Sequence, residues 1–171
     1  MRPGEPPALI ASNGGARPAS PADLPRARQV LEQVADPEIP VLSVVDLGIV
    51  RDLAWVDGHL QVTVTPTYSG CPASELIEQE IRAALERAGF RAPRLLRRLA
   101  PAWSSDWISA RGRERLRAYG IAPPTDANAP VCCPRCGSAD TERLSEFGST
   151  ACKALYRCRA CREPFDQFKC I

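Results

Sequence analysis

The residues of this chain that are best suited to chemistry are two pairs of cysteines near its C-terminus. Cys133 and Cys136 form one C-x-x-C motif, Cys158 and Cys161 form a second, and 21 residues separate the pairs. Together the pairs can supply the four thiolates of a tetrahedral structural zinc site. A tail of roughly forty residues is also near the size at which a domain needs a metal or disulfides to fold. The sequence therefore predicts a zinc ribbon whose metal has no open coordination position.

Other uses of the cysteines have to be weighed against zinc. Disulfides are less consistent with C-x-x-C pairs in a chain whose first residues lack the apolar core of a signal peptide. A Cys₄ iron–sulfur cluster uses the same ligands and is the stronger rival. Cys132 is adjacent to a predicted ligand and could compete for the ion, although only Cys133 gives the two-residue spacing to Cys136. Cys152 and Cys170 lie outside the pairs and are expected either to be core residues of the ribbon or to form a second thiol site.

Cys71 is the one thiol before this tail, and it directly precedes a predicted helix that opens at Pro72. Unpaired backbone N–H groups and the helix dipole at such a position lower the pKa of a thiol and favour the thiolate. A buried cysteine that only fills space under a turn is an equally supported alternative. The one histidine, His59, follows a predicted hairpin turn, so Cys71 has no convincing general base.

Three carboxylates surround the loop that follows the first predicted helix, namely Asp36, Glu38 and Asp46. They could form a metal site or an acid–base site. Residues of this kind more often cap helices and bond turn amides, and position alone favours that structural role.

The length of 171 residues suits one ordinary domain with a small appendage. A net charge of +2 gives no strong field for nucleic acid or membranes, and no apolar run approaches the length of a membrane span. We expect a disordered leader over residues 1–22, a domain over 23–121, a proline-rich linker over 122–131 and the ribbon over 132–171. We also expect a cytoplasmic protein, in which the eight cysteines are reduced.

The apolar periodicity predicts an α-β-β-α-β order, and hence an α+β domain with a small sheet. The expected elements are a helix over 24–35, a hairpin of strands over 49–56 and 59–65, a helix over 72–89 and a strand over 94–100. The hairpin turn is Asp57-Gly58, since both residues of such a turn need positive φ. A partly helical segment over 103–119 carries a basic cluster, and we expect its arginines to form a solvated face.

Two stretches resemble known families. Asp36-Pro-Glu-Ile-Pro-Val-Leu-Ser-Val-Val-Asp46-Leu47-Gly48, followed by Thr-Pro-Thr-Tyr-Ser-Gly-Cys71-Pro72, is similar to the MIP18 (DUF59) domain. The tail Glu146-Phe-Gly-Ser-Thr-Ala-Cys152-Lys-Ala-Leu-Tyr-Arg-Cys158 adds a narrower likeness, to the D subunits of phenylacetyl-CoA epoxygenase (ring 1,2-epoxidase) complexes. The resemblance implies a MIP18-like domain joined to a Cys₄ zinc ribbon.

The resemblance also implies a function. Such proteins are accessory subunits in aerobic phenylacetate degradation, which assist maturation of an iron or iron–sulfur centre in partner subunits and carry no catalytic site of their own. It makes Cys71 the functional thiol and assigns its pocket to Asp36, Glu38, Asp46, Thr67 and Ser69. The implied cofactors are a structural zinc and a transient iron or iron–sulfur cluster.

The implied partners are the other epoxygenase subunits, especially the iron–sulfur reductase component, and a homodimer is compatible with the resemblance. Two other functions compete with maturation. A Cys-dependent enzyme acting on an acyl or thioester substrate would need a base that the sequence does not offer. A nucleic-acid-binding ribbon would need a basic aromatic surface.

Overall fold

The structure is a computed structural model that describes residues 19–68, 70, 73–126 and 129–170. The predicted leader lies outside these residues up to position 18, as do Ser69, Cys71 and Pro72. Pro21–Asp23 forms a 3₁₀ turn that leads directly into the first helix.

The first half of the chain confirms the predicted α+β order. Helix α1 (Leu24–Leu31) is followed by the antiparallel hairpin of β1 (Val50–Val56) and β2 (His59–Val64). Helix α2 (Ser74–Arg87) then crosses to β3 (Arg94–Arg97), which pairs in parallel with β2. At the hairpin turn Asp57 and Gly58 have φ values of 50° and 76°, as the Asp-Gly signal predicts.

Apolar residues of α1, β2 and α2 form the core of this half. Each element buries one apolar stripe, because the residues recur at helical spacing in the helices and alternate along the strand. The buried members include Ala27, Leu31, Leu60, Val62, Ile77, Ile81 and Leu85. The loop between α1 and β1 adds Ile39, Leu42, Val44 and Leu47 to the same core.

The second half is built on a four-stranded sheet in the order β4-β7-β6-β5. After α3 (Ala110–Tyr119), β4 (Ile121–Ala122) pairs in parallel with β7 (Pro164–Phe168). Strands β5 (Thr141–Ser145) and β6 (Lys153–Cys158) complete the sheet by antiparallel pairing. No described helix is both long enough and apolar enough to cross a bilayer.

The two halves share one hydrophobic core. Cys152 and Phe168, both from the second half, are buried with the residues of the first. The ring of Phe168 lies 5.9 Å from that of Trp103, and the Trp103 indole donates a hydrogen bond to the carbonyl of Leu47 at 3.0 Å. The domain boundaries at residues 121 and 132 remain a prediction. The contacts of Cys152 and Phe168 connect the predicted first domain with the predicted ribbon.

Candidate functional site

The four predicted metal ligands converge at one end of the second sheet. Their sulfur atoms all lie within 4.8 Å of one another. Sγ of Cys133 is 3.8 Å from that of Cys161, and Sγ of Cys136 is 3.5 Å from that of Cys158. Among the described residues, this is the one group of three or more candidate ligands at such distances.

The two C-x-x-C motifs form similar turns. The residue after each second cysteine has a left-handed conformation, with φ of 76° at Gly137 and 65° at Arg162. The Gly137 N–H donates to the Cys133 carbonyl at 2.9 Å, and the Cys161 N–H points at Sγ of Cys158 at 3.5 Å. These turns aim both sulfurs of a motif at one point, as a shared metal ligand set requires.

The ionisation of the cluster also fits a cation. The backbone N–H of Cys161 helps to lower the pKa of Cys158 to about 7. The backbone hydrogen bond at Glu163 favours the Cys161 thiolate, but burial and the three neighbouring sulfurs outweigh it and raise the Cys161 pKa to about 12. Four adjacent thiolates repel one another, and a divalent ion at their centre removes that penalty. All four positions of a tetrahedron are filled by protein, so the arrangement suits a structural metal.

A second feature is a small cavity where the two halves meet. It has a volume of about 20 Å³. Its polar lining comes from Asp36 and Glu38 in the loop after α1, Thr67 after β2, and Ser74 and Glu78 in α2. From the second half, Cys152 and Phe168 close the opposite wall, with Cys152 only 4% exposed.

Of the carboxylates that line the cavity, Asp36 is buried, whereas Glu38 and Glu78 are half-buried. Oδ1 of Asp36 accepts hydrogen bonds from the N–H groups of Glu38 and Ile39 at 2.9 and 2.8 Å, as expected for a turn-capping residue. Burial nevertheless raises the pKa of Asp36, and burial together with the nearby Asp36 charge raises that of Glu38. The Lys153 ammonium acts in the opposite direction on both, as the lesser influence.

Asp46 lies in a different environment and does not line the cavity. Its buried carboxylate receives hydrogen bonds from Ser43, from Ser109 at 2.8 Å, from Arg111 at 2.9 Å and from Arg115 at 3.0 Å. Burial opposes ionisation of Asp46, but these donors outweigh it and lower its pKa. Arg111 and Arg115 are exposed, as expected of a solvated face, and their bonds to Asp46 also tie α3 to the loop.

The structure thus brings together only some of the predicted pocket residues. Asp36, Glu38 and Thr67 line one cavity, whereas Ser69 and Cys71 lie outside the described residues. Cys152 joins this cavity, a placement that the sequence left open. The sequence could not predict this position of Cys152, because the C-x-x-C motifs do not specify which side of the loop before β6 packs against the first half.

Each half of the chain matches a known protein family. Residues 26–89 match the family model described as iron–sulfur cluster assembly protein, and residues 122–169 match the PaaD zinc beta ribbon domain. A crystal structure of a DUF59 domain of unknown function from Bacillus anthracis superposes with a TM-score of 0.51 at 26% identity, covering 56% of this chain and 92% of that one.

Two curated relatives cover different lengths of the chain. A protein of Escherichia coli, named as the putative D subunit of 1,2-phenylacetyl-CoA epoxidase, is 53% identical over 83% of this chain and 90% of its own length. An "Fe-S protein maturation auxiliary factor" of Porphyromonas gingivalis is 35% identical over 47% of this chain and 78% of its own length.

The fold and the cysteine cluster define a DUF59-type domain joined to a zinc ribbon. Two further findings identify the family within this class, namely the order of the two parts and the 53% identity to the Escherichia coli protein over 83% of the chain. The chain belongs to the family of the D subunits of 1,2-phenylacetyl-CoA epoxidases.

Proposed function

We propose that this chain is an accessory subunit of a phenylacetyl-CoA epoxidase system that helps to mature an iron or iron–sulfur centre of its partner subunits. The observation that carries the proposal is the match of residues 26–89 to the iron–sulfur cluster assembly family, within a chain that resembles an epoxidase D subunit along most of its length. The cavity supports it, since that segment contributes Asp36, Glu38 and Thr67 to one small cavity.

In this proposal the metal of the four-cysteine cluster is zinc and its role is structural. The donor set is all sulfur, its geometry is closed, and the matching family is a zinc ribbon. Zinc there would hold β6 and β7 together, because Cys158 ends β6 and Cys161 lies in the turn before β7. The strands in turn carry Phe168 to the first half.

Cys71 is the proposed thiol that handles the transferred iron. Its support is the sequence resemblance, together with two described residues that flank it in the chain. Thr67, four positions before it, and Ser74, three positions after it, both line the cavity. A thiolate is a suitable transient ligand for iron, whereas a Cys-dependent acyl-transfer enzyme would also need a base beside it.

The proposed role also specifies the partners and the cellular location of the chain. The partners are the other epoxidase subunits, above all the iron–sulfur reductase component, and a second copy of this chain is compatible with the proposal. The proposed location is the cytoplasm, where the seven described cysteines, all free, would remain reduced.

The test is replacement of the native gene by Cys71→Ser, beside Cys132→Ser as a matched control in an exposed thiol. We expect Cys71→Ser to stay folded and zinc-loaded, yet to leave the purified partner subunits deficient in iron or labile sulfide. Cys132→Ser should give fully metallated partners. Partners with normal metal content but an inactive complex would contradict maturation and favour the Cys-dependent enzyme.

A further inference from the structure

Strand β3 lies at one end of the three-stranded sheet, with β2 on one side and no described strand on the other. The N–H of Arg98 donates to the Val64 carbonyl at 2.9 Å. Backbone groups of successive residues in a strand point alternately to its two sides, so those of Leu96 also face β2, whereas those of Leu95 and Arg97 face away from the sheet. These outward N–H and C=O groups are available to a further strand.

The segment around β3 is strongly basic. Residues 87–98 contain five arginines and no acidic residue. In the part of the chain that the structure describes, Arg98 has no acidic partner. A surface of this charge attracts an acidic partner and repels a basic one. Two of the other arginines meet carboxylates of neighbouring elements at 3.4 and 2.7 Å, in the pairs Arg94–Asp57 and Arg97–Glu78.

Charges on an edge strand can serve only to prevent aggregation, but two observations indicate more than protection at β3. Leu96 and Leu99 are 36% and 57% exposed among the arginines, and a protective edge needs no apolar side chain there. The charges at β5, an edge strand of the second sheet, neutralise one another instead, since Glu142 accepts hydrogen bonds from two arginines. The basic charge at β3 has no such balance.

The side chains of β3 divide between the two faces of the sheet. Leu95 packs against the core, and Arg97 reaches Glu78 on α2. Because side chains alternate along a strand, Arg94, Leu96 and Arg98 lie on the opposite face. This face therefore presents one apolar side chain between two basic ones.

We propose that the β3 edge, residues 94–99, binds an extended acidic segment of a partner protein, which pairs with β3 as an additional strand. The backbone groups of Leu95 and Arg97 supply the main-chain hydrogen bonds, and the side chains supply the specificity. The fitting segment has an apolar residue opposite Leu96 and acidic residues two positions to either side, as cross-strand pairing requires. The inference requires neither iron nor Cys71, so it is tested separately from the maturation role.

The experiment is titration of the full-length, zinc-loaded chain with a capped peptide of the sequence Ser-Glu-Thr-Val-Thr-Glu-Ser. The peptide should bind saturably and more weakly as salt is added, while a peptide with Lys in place of both Glu should not bind. Amide exchange should identify the site: the N–H groups of Leu95 and Arg97 should become protected on binding, whereas that of Leu96 is protected by β2 from the start.

Two variants test the charge. Arg98→Glu should weaken binding of the acidic peptide by at least about threefold, because an attraction is replaced by a repulsion. Arg117→Glu, which changes an exposed arginine of α3, should bind the peptide like the wild type. Both variants should keep their zinc and their urea midpoint.

Modified peptides test strand pairing on the wild-type chain, and so avoid dependence on how the variants fold. N-methylation of one alternate set of peptide residues should abolish binding, and N-methylation of the other set should not, since only one set faces β3. No saturable binding, equal binding of the acidic and lysine peptides, or equal binding of both methylated peptides would overturn the inference. Binding of a single-stranded oligothymidylate without binding of the acidic peptide would overturn it in favour of nucleic acid.

Discussion

Replacing Phe168 with alanine should uncouple the ribbon from the first half of the chain. The side chain is fully buried, and its ring contacts Trp103, whose indole is hydrogen-bonded to the Leu47 carbonyl. Phe→Ala in a core costs about 3–5 kcal/mol, which includes the lost aromatic contact and the cavity left behind. We expect Phe168→Ala to lie within this range, because the fixed indole prevents the site from collapsing around the cavity.

Phe165→Ala is the matched control, three residues earlier on the same strand. Phe165 is 4% exposed, but it packs within the ribbon's own cluster and stacks on Tyr156 with ring centroids 5.8 Å apart. Both variants should lower the free energy of unfolding in urea. Amide exchange should distinguish them: only Phe168→Ala should speed exchange in the loop over residues 42–49 as well as in β7.

The result that would refute this reasoning is specific. If Phe168→Ala lowers the free energy of unfolding by less than about 1 kcal/mol, or leaves exchange of the loop unchanged, the two halves do not share a core. The same result would remove the basis for placing Cys152 in the cavity.

Three further outcomes follow from the site and the loop. Cys158→Ser should lose most of the bound zinc by elemental analysis while Cys170→Ser keeps it, and equal zinc in both would contradict the ligand assignment. Gly48→Ala should destabilise the protein by about 1–3 kcal/mol more than Gly58→Ala in urea titrations. Both glycines have positive φ, but only at Gly48 would an added Cβ meet another backbone, 2.7 Å from the carbonyl oxygen of residue 107. The lowered pKa of Asp46 means that its ionised form stabilises the fold above about pH 4 and that this contribution is lost as the pH falls. The urea midpoints of wild type and Asp46→Asn should therefore converge in acid, and a constant difference would show that the charge is immaterial.

Local patterns in the sequence predicted the order of helices and strands in the first half, and the four cysteines proposed as metal ligands lie together in the structure. The hairpin turn at Asp57-Gly58 follows from the backbone conformation that the turn requires, and two C-x-x-C motifs are enough to propose four ligands. Both signals depend on neighbours in the chain. The strand expected over 94–100 is shorter in the structure, at Arg94–Arg97, since strand length depends on the partner strand as well as on composition.

Long-range packing could not be predicted in the same way. Asp46 gave no sign that it would accept hydrogen bonds from two arginines more than sixty positions later, because an ion pair leaves no local periodicity. Cys152 could equally have faced the ribbon's interior. Its position is decided by how the second sheet packs on the first half, through contacts such as Phe168 with Trp103.

The most direct test of the maturation role is turnover of the epoxidase after this chain has been removed. Partner subunits are matured in cells that contain the wild-type protein, purified with full metal content, and assayed for epoxidation with and without the chain. The account predicts sustained turnover in its absence, and no further gain from adding either wild type or Cys71→Ser. A complex that turns over only when the wild-type chain is present, and fails with Cys71→Ser, would contradict maturation and place Cys71 within the catalytic cycle.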